Sequence, residues 1–154
     1  MNENPGVTYQ DYDGTTLPVP DASFDLTFAI GVLHHVPVRL RASFLDEARR
    51  ATAPGGLVVV LEHNPLNPLT RLAVQRCDFD EDVILPSRGL TTRLFRRSRL
   101  SVVEEPYVLF VPWRFPGSDA IERGLRWLPL GAQYVVAGRP DAGVEPTLGR
   151  ADRG

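Results

Sequence analysis

The feature that most constrains this chain is a pair of apolar runs, FDLTFAI at residues 24–30 and LVVVLE at 57–62, separated by a single amphipathic repeat. Across residues 38–52, Leu40, Phe44, Leu45 and Ala48 recur at helical spacing, while Arg39, Asp46, Arg49 and Arg50 fall mostly elsewhere. Pro54-Gly55-Gly56 then stops the repeat, because proline cannot continue the hydrogen-bond ladder and glycine accepts a left-handed cap. A strand, a helix of about four turns and a second strand joined by short loops form a βαβ unit with parallel strands and a right-handed crossover. The run at 24–30 carries too little polar character for a half-exposed strand, so it is expected inside a sheet, covered on both faces.

The rest of the chain hangs from that unit. Residues 7–12 have β-branched and aromatic side chains at strand spacing and end at the turn pair Asp13-Gly14, which predicts an earlier strand. After Glu62, Asn67-Pro68 predicts the start of a helix running to about Arg76. An acidic stretch follows, with Asp78, Asp80, Glu81 and Asp82. Ser87 is placed to cap a helix to Ser98 with Leu90, Leu94 and Phe95 inward and its arginines in solvent. Residues 101–111 and 133–138 read as the last two strands, paired antiparallel around a short helical piece at 118–127. The expected organisation is one domain over residues 1–140 and a flexible tail over 141–154, where Gly, Pro and Arg leave little apolar surface to offset ordering entropy.

Composition narrows the function classes. A formal net charge of -2 argues against nucleic acid, whose binding rests on excess basic side chains. The apolar runs are too short for a membrane span. A single cysteine, Cys77, and an opening that is neither basic nor apolar point to a reducing, cytoplasmic setting. All 17 basic residues are arginine, as coding bias in a GC-rich genome would produce.

Three motifs in order carry a resemblance: Leu17-Pro18-Val19-Pro20-Asp21-Ala22-Ser23-Phe24-Asp25-Leu26, then Gly31-Val32-Leu33-His34-His35-Val36, then Ala53-Pro54-Gly55-Gly56. Together they resemble class I S-adenosylmethionine-dependent methyltransferases. More narrowly, they are similar to the methyltransferase type 11 group that includes the quinone C-methyltransferases. The likeness runs over about residues 7–138, and the segment from Glu62 through Arg71 resembles that of a bacterial subset. It implies an α/β, Rossmann-like three-layer methyltransferase fold, seen here as its C-terminal portion (strands 3 to 7), with a mostly parallel sheet and an antiparallel last strand. It also implies S-adenosyl-L-methionine as cofactor and a small-molecule substrate. By the same resemblance Asp13 and Gly14 meet the adenine ring and Ile30 the methionyl part, while Asp25 has a structural role.

In that family a strand ending in a glycine-rich turn holds the carboxypropyl end of the cofactor, and a strand ending in an acidic residue holds the ribose hydroxyls. Neither has a counterpart in these 154 residues. The family's strand order, 3-2-1-4-5-7-6, puts this gap between residues 7–12 and 24–30, in the middle of the sheet. Either residues 7–12 shift to fill it, or a partner chain or a missing N-terminal segment completes the sheet. Two functional expectations follow: methyl transfer to a small molecule, or a non-catalytic, degenerate or partner-completed methyltransferase-like subunit.

Ligands in open α/β sheets bind at the carboxyl ends of the strands, which predicts that residues 30–35 lie beside 62–64. His35 is the candidate general base, since imidazole titrates near neutral pH. His34, Glu62, His63 and Asn64 are the candidate substrate-side residues, Glu62 having capping of the following turns as its plainer role. No metal site is expected: adjacent histidines tend to diverge, which counts against a set of His34, His35 and His63. Trp113, Phe115 and Trp127 read either as a hydrophobic substrate cover or as ordinary packing.

Overall fold

The computed structural model describes residues 6–80, 83–111, 113 and 115–141. Its elements in chain order are β1 (Phe24–Ile30), α1 (Arg41–Ala51), β2 (Thr52–His63), α2 (Pro68–Gln75), α3 (Arg88–Arg97), β3 (Leu100–Glu104), β4 (Tyr107–Val108), α4 (Ser118–Leu125) and β5 (Gln133–Pro140). Short 3-10 turns at Val38–Leu40 and Asp78–Asp80 precede α1 and follow α2.

The βαβ unit forms as its pattern dictates. β1 and β2 pair in parallel, from Leu26 opposite Leu57 to Ile30 opposite Leu61. β5 runs antiparallel against β2 and against β3, giving the order β1-β2-β5-β3 with β4 also on β5. The last strand in the chain thus lies in the middle of the sheet and opposes its neighbours. Asn67 caps α2 by accepting from the Leu69 and Thr70 amides, and Ser87 caps α3 by accepting from Leu90.

Two expectations about the first strands fail. Residues 7–12 form no strand; they run irregularly and are mostly exposed. The segment that follows them is tied to α1 instead of to a sheet edge: the Leu17 amide donates to Glu47 at 3.0 Å, and the Arg50 guanidinium donates to the carbonyls of Leu17 and Val19. Among the described residues β1 therefore has one strand partner and stands at the edge of the sheet. Nor is β1 covered on both faces, since Phe28 is 62% and Ile30 57% exposed. The apolar run at 24–30 is a strand suited to an interior place that here has a neighbour on one side only.

Contrary to expectation, Pro54-Gly55-Gly56 neither caps the helix nor precedes the strand, because α1 ends at Ala51 and β2 begins at Thr52. The register against β1 slips between Phe24↔Thr52 and Leu26↔Leu57, so these residues bulge out of the ladder. Gly55 takes φ +81 there, a left-handed conformation that glycine adopts without steric cost.

The core lies between the sheet and the layer formed by α1 and α3. Leu45, Val58, Val60, Phe95, Leu100, Tyr134 and Val136 are buried in it. The inward face of α3 differs from its hydrophobic pattern. Phe95 is buried with Thr91 and Thr92, whereas Leu90 is exposed. Thr91 can be buried because its hydroxyl meets the Tyr134 hydroxyl at 2.8 Å, and Thr92 because it donates to Glu105 at 2.5 Å. Of the expected tail only Asp141 is among the described residues; 142–154 lie outside them.

Candidate functional site

Parallel pairing brings the turn after β1 against the end of β2. The Gly31 amide donates to the Leu61 carbonyl at 2.9 Å, which closes the ladder and directs the chain across the tip of β2. There Glu62 is 1% exposed, and its carboxylate gathers four donors. Oε1 accepts from the Leu33 amide at 2.6 Å and the His34 amide at 3.3 Å; Oε2 lies 2.7 Å from His34 Nδ1 and accepts from the His63 amide at 3.3 Å. A carboxylate taken out of water needs such partners. Glu62 thus clamps the turn of the neighbouring strand rather than capping the turns after its own.

The two adjacent histidines converge. Their ring centres are 4.1 Å apart, and both aim a nitrogen at one oxygen of Asp80: His34 Nε2 at 3.2 Å and His35 Nε2 at 3.3 Å. His34 is buried between Glu62 and Asp80, while the His35 side chain is 44% exposed. Burial pushes the Asp80 carboxyl up, but hydrogen bonds from Cys77 and His34 and the charge of the two imidazoles outweigh it and hold its pKa below the ordinary value. His63 stands beside this group, its ring centre 5.3 Å from that of His34.

Arg41 closes the other side. It is 1% exposed, donating through Nε to the Val36 carbonyl at 3.0 Å and through Nη2 to Ile84 at 2.6 Å and His34 at 3.4 Å, while its Nη1 is buried with no partner among the described residues. Burial lowers its pKa, opposed by the charges of Glu62 and Tyr134. A cavity of about 320 Å³ opens between His34, His35, Val36, Arg41 and Ile84.

The remaining candidates lie apart from this group. Asn64 spends its side chain within the protein, donating to the carbonyls of Pro129 and Gly131 and accepting from the Leu66 amide. It ties the end of β2 to the loop before β5. Asp13 is exposed and caps its own turn: Oδ1 accepts from the Thr15 amide and hydroxyl and the Thr16 amide, and these hydrogen bonds lower its pKa. Gly14 follows at φ +86 with open space around it. Ile30 lines a second, apolar cavity of about 400 Å³ together with Tyr12, Leu17, Phe28, Phe44 and Val59. Trp113, Phe115 and Trp127 are all exposed, so none is core packing.

The order β1-β2-β5-β3 reproduces the run 4-5-7-6 expected of a class I methyltransferase sheet, a likeness of fold. The chain is built on the class I S-adenosylmethionine-dependent methyltransferase fold. Comparison with known proteins agrees. Residues 1–60 match the family model described as a methyltransferase domain. The 27-O-demethylrifamycin SV methyltransferase of Amycolatopsis mediterranei is 42% identical over 50 residues, 32% of this chain and 18% of that protein. A SAM-dependent methyltransferase of Thermotoga maritima superposes with a TM-score of 0.64 at 20% identity, over 88% of this chain and 65% of its own. A chain from the complex of the Haloferax volcanii Trm112 methyltransferase activator with a methyltransferase gives a TM-score of 0.60 at 17% identity, over 85% of this chain and 60% of that one. The chain thus spans under a fifth of the curated relative and less than two thirds of these solved structures. Within this methyltransferase fold, Asp80 and Arg41 are the residues sequence reasoning missed. Asp80 sits in an acidic stretch that reads as solvated surface, 46 residues from the histidine it faces, and Arg41, although on the same helical stripe as buried Leu45 and Ala48, carries a charge that reads as solvent-facing.

Proposed function

We propose that this chain forms the acceptor-side part of an S-adenosylmethionine-dependent methyltransferase acting on a small molecule. The observation that carries the reading is the Glu62 clamp, which holds the His34–His35 turn at the carboxyl ends of two parallel strands, where open α/β sheets bind their ligands. When bound, the cofactor supplies an electrophilic methyl on a sulfonium, so the protein has chiefly to align the acceptor, exclude water and accept a proton.

The residues present fit two parts of the cofactor. Gly14 is exposed with nothing within 4 Å of where a Cβ would stand, so a flat ring can approach its backbone, and Ile30 is exposed at the tip of β1. Asp13 has already committed Oδ1 to its own turn, which leaves its other oxygen for the adenine side. His35 is the exposed member of the histidine–aspartate group, and its Nε2 beside Asp80 is the atom we assign to take the acceptor's proton. His34, pinned by Glu62, is a positioning residue. His63 faces the same group, and Asn64 shapes the loop around it.

A second reading has its own support. Among the described residues β1 has an unpaired edge, and on its apolar face Leu26, Phe28 and Ile30 are exposed, so this chain can be one that binds cofactor only when a further polypeptide segment completes the sheet. One similar chain comes from a complex with an activator protein. Calorimetry with S-adenosylhomocysteine separates the two. Saturable binding by the 154-residue chain at micromolar concentration supports the first reading without a partner. Heat absent at millimolar concentration, restored by an added segment carrying the missing strands, supports the second.

A further inference from the structure

The convergence of His34, His35 and Asp80 asks for a cation. Glu62 accepts from His34 at Nδ1, which fixes the proton on that nitrogen and leaves Nε2 with its lone pair. That lone pair faces Asp80 Oδ1 at 3.2 Å, and His35 Nε2 faces the same oxygen at 3.3 Å. Where neither Nε2 carries a proton, three lone pairs converge at a spacing that a positive centre among them would satisfy. Four-coordinate zinc bound at about 2.0–2.1 Å sets its ligand atoms about 3.3 Å apart, the separation seen on both edges that meet at Asp80. All three ligand atoms lie within 4.8 Å of one another.

We propose that His34 Nε2, His35 Nε2 and Asp80 Oδ1 form a binding site for one divalent transition-metal ion, of which Zn²⁺ is the representative. Two features mark it as built. A metal-binding imidazole generally gives its other nitrogen to a carboxylate, and Glu62, buried and held by three backbone amides, is that carboxylate for His34. The site is also open on one side: His35 is half exposed, and the cavity of about 320 Å³ adjoins it, so the three protein ligands leave a fourth position free, as in zinc sites that take a water or substrate oxygen. Arg41 is the cation beside it, but its guanidinium donates to the carbonyls of His34, Val36 and Ile84 and to none of the three ligand atoms. Cys77 neighbours Asp80 through its backbone carbonyl and its thiol, and it lies outside the converging set.

This inference goes beyond methyl transfer and does not need it. A bound ion takes the lone pair of His35 that proton acceptance would use, so at any moment the two roles exclude each other. The test is titration of the chelator-stripped 154-residue chain with ZnCl₂ by calorimetry, followed by the visible spectrum with Co²⁺ in its place. The expected result is one ion per chain with a dissociation constant in the micromolar range or tighter, and the intense absorption of four-coordinate cobalt. His35→Ala and Asp80→Asn should each weaken binding by about tenfold or more, and Glu62→Gln, acting through His34, by about ten- to a hundredfold. Cys77→Ser should leave it unchanged. His35 is half exposed, so its variant keeps the test valid even if the others lose their fold. Absence of saturable uptake overturns the proposal and leaves a proton on His34 Nε2 as what joins the group. Uptake indifferent to His35→Ala, or abolished by Cys77→Ser, overturns the ligand set. Since none of these readouts involves cofactor or methylated product, their failure is distinct from failure of the methyltransferase reading.

Discussion

The two faces of one sheet differ sharply in this protein. In parallel pairing, partners share a face, so Thr27 and Ala29 lie with Val58 and Val60 toward α1, while Leu26, Phe28 and Ile30 lie with Leu57, Val59 and Leu61 on the other side. On the helix-covered side Val58 and Val60 are 1% exposed; on the opposite side Phe28 and Ile30 are more than half exposed. The bare face, with Leu26, Phe28, Ile30, Leu57, Val59 and Leu61, is the more apolar of the two, so composition did not decide which one became core. What decided is which face the chain's own helices reach: the crossover helix α1 and α3 both fall on one side. Stability should therefore be concentrated on the covered face and the end of the sheet around β5, and the bare face should carry little of it.

The largest expected effect is at Phe95, buried in the core from α3. Its ring packs so closely on β5 that a Cβ added at Gly138 would lie 2.9 Å from it. Phe95→Ala should destabilise by about 3–5 kcal/mol, through lost transfer energy and the cavity left behind, read as a shift of the urea midpoint. A shift no greater than that of a bare-face substitution would break the contrast between the faces.

Next comes Tyr134 on β5, whose hydroxyl donates to the Pro86 carbonyl at 2.8 Å and meets Thr91 at 2.8 Å. Burial drives its pKa up, well beyond the ordinary tyrosine value, despite the Thr91 hydrogen bond. Tyr134→Phe leaves a buried carbonyl and a buried threonine hydroxyl each short of a partner, which should cost about 1–3 kcal/mol with little change in packed volume. Thr91→Val in the same background should cost less than it does alone, since the pair is coupled.

These same elements show what the sequence conveyed. β1, α1, β2 and α3 were legible because periodicity is a local property, and the caps Asn67 and Ser87 because a side-chain oxygen beside three free amides is local too. The Thr91–Tyr134 pair was not legible, as it joins residues 43 apart and its threonine reads as surface until the partner is known. Residues 7–12 depart from their strand pattern for a related reason: strand propensity needs an edge to pair with, and Arg50 and Glu47 on α1 capture the following segment instead. In the site, histidines at the tip of β1 and a glutamate at the tip of β2 could be foreseen from parallel pairing. Asp80 could not, because its place depends on how α2 returns the chain.

The Glu47 link offers a smaller effect with a pH signature. Hydrogen bonding and charge from Arg50 lower the Glu47 carboxyl, burial opposing them and the Leu17 amide assisting. A carboxyl lowered by folding adds stability that is present above its unfolded value, about 4.3, and is lost as pH falls through the folded value. Because Glu47 and Arg50 are partly exposed, solvent screening limits the contribution to under about 1 kcal/mol. Glu47→Gln should lower stability at neutral pH by that much and flatten the acid limb of the profile below about pH 4.3, the unfolded value. A variant that retains the full acid limb would show that the segment before β1 is held by something other than this carboxylate.

The smallest effect should come from the bare face, and it sharpens the comparison most. Phe28 is 62% exposed and shares the bare face with Val59, so replacing it with serine removes a side chain that is mostly in water already. The change in stability should stay within about 0.5 kcal/mol, roughly a tenth of the Phe95 effect for the same residue type. Serine also weakens strand propensity at an edge, which works against the variant, and reduces an exposed apolar patch that favours self-association, which works for it. Dilution separates these: a midpoint that falls in the wild-type chain as concentration drops, yet stays fixed in Phe28→Ser, would mean that the bare face is covered in solution by another molecule. A loss of 2 kcal/mol or more in dilute Phe28→Ser would mean that this face is already core, and that the difference between the two sides of the sheet does not exist in the folded protein.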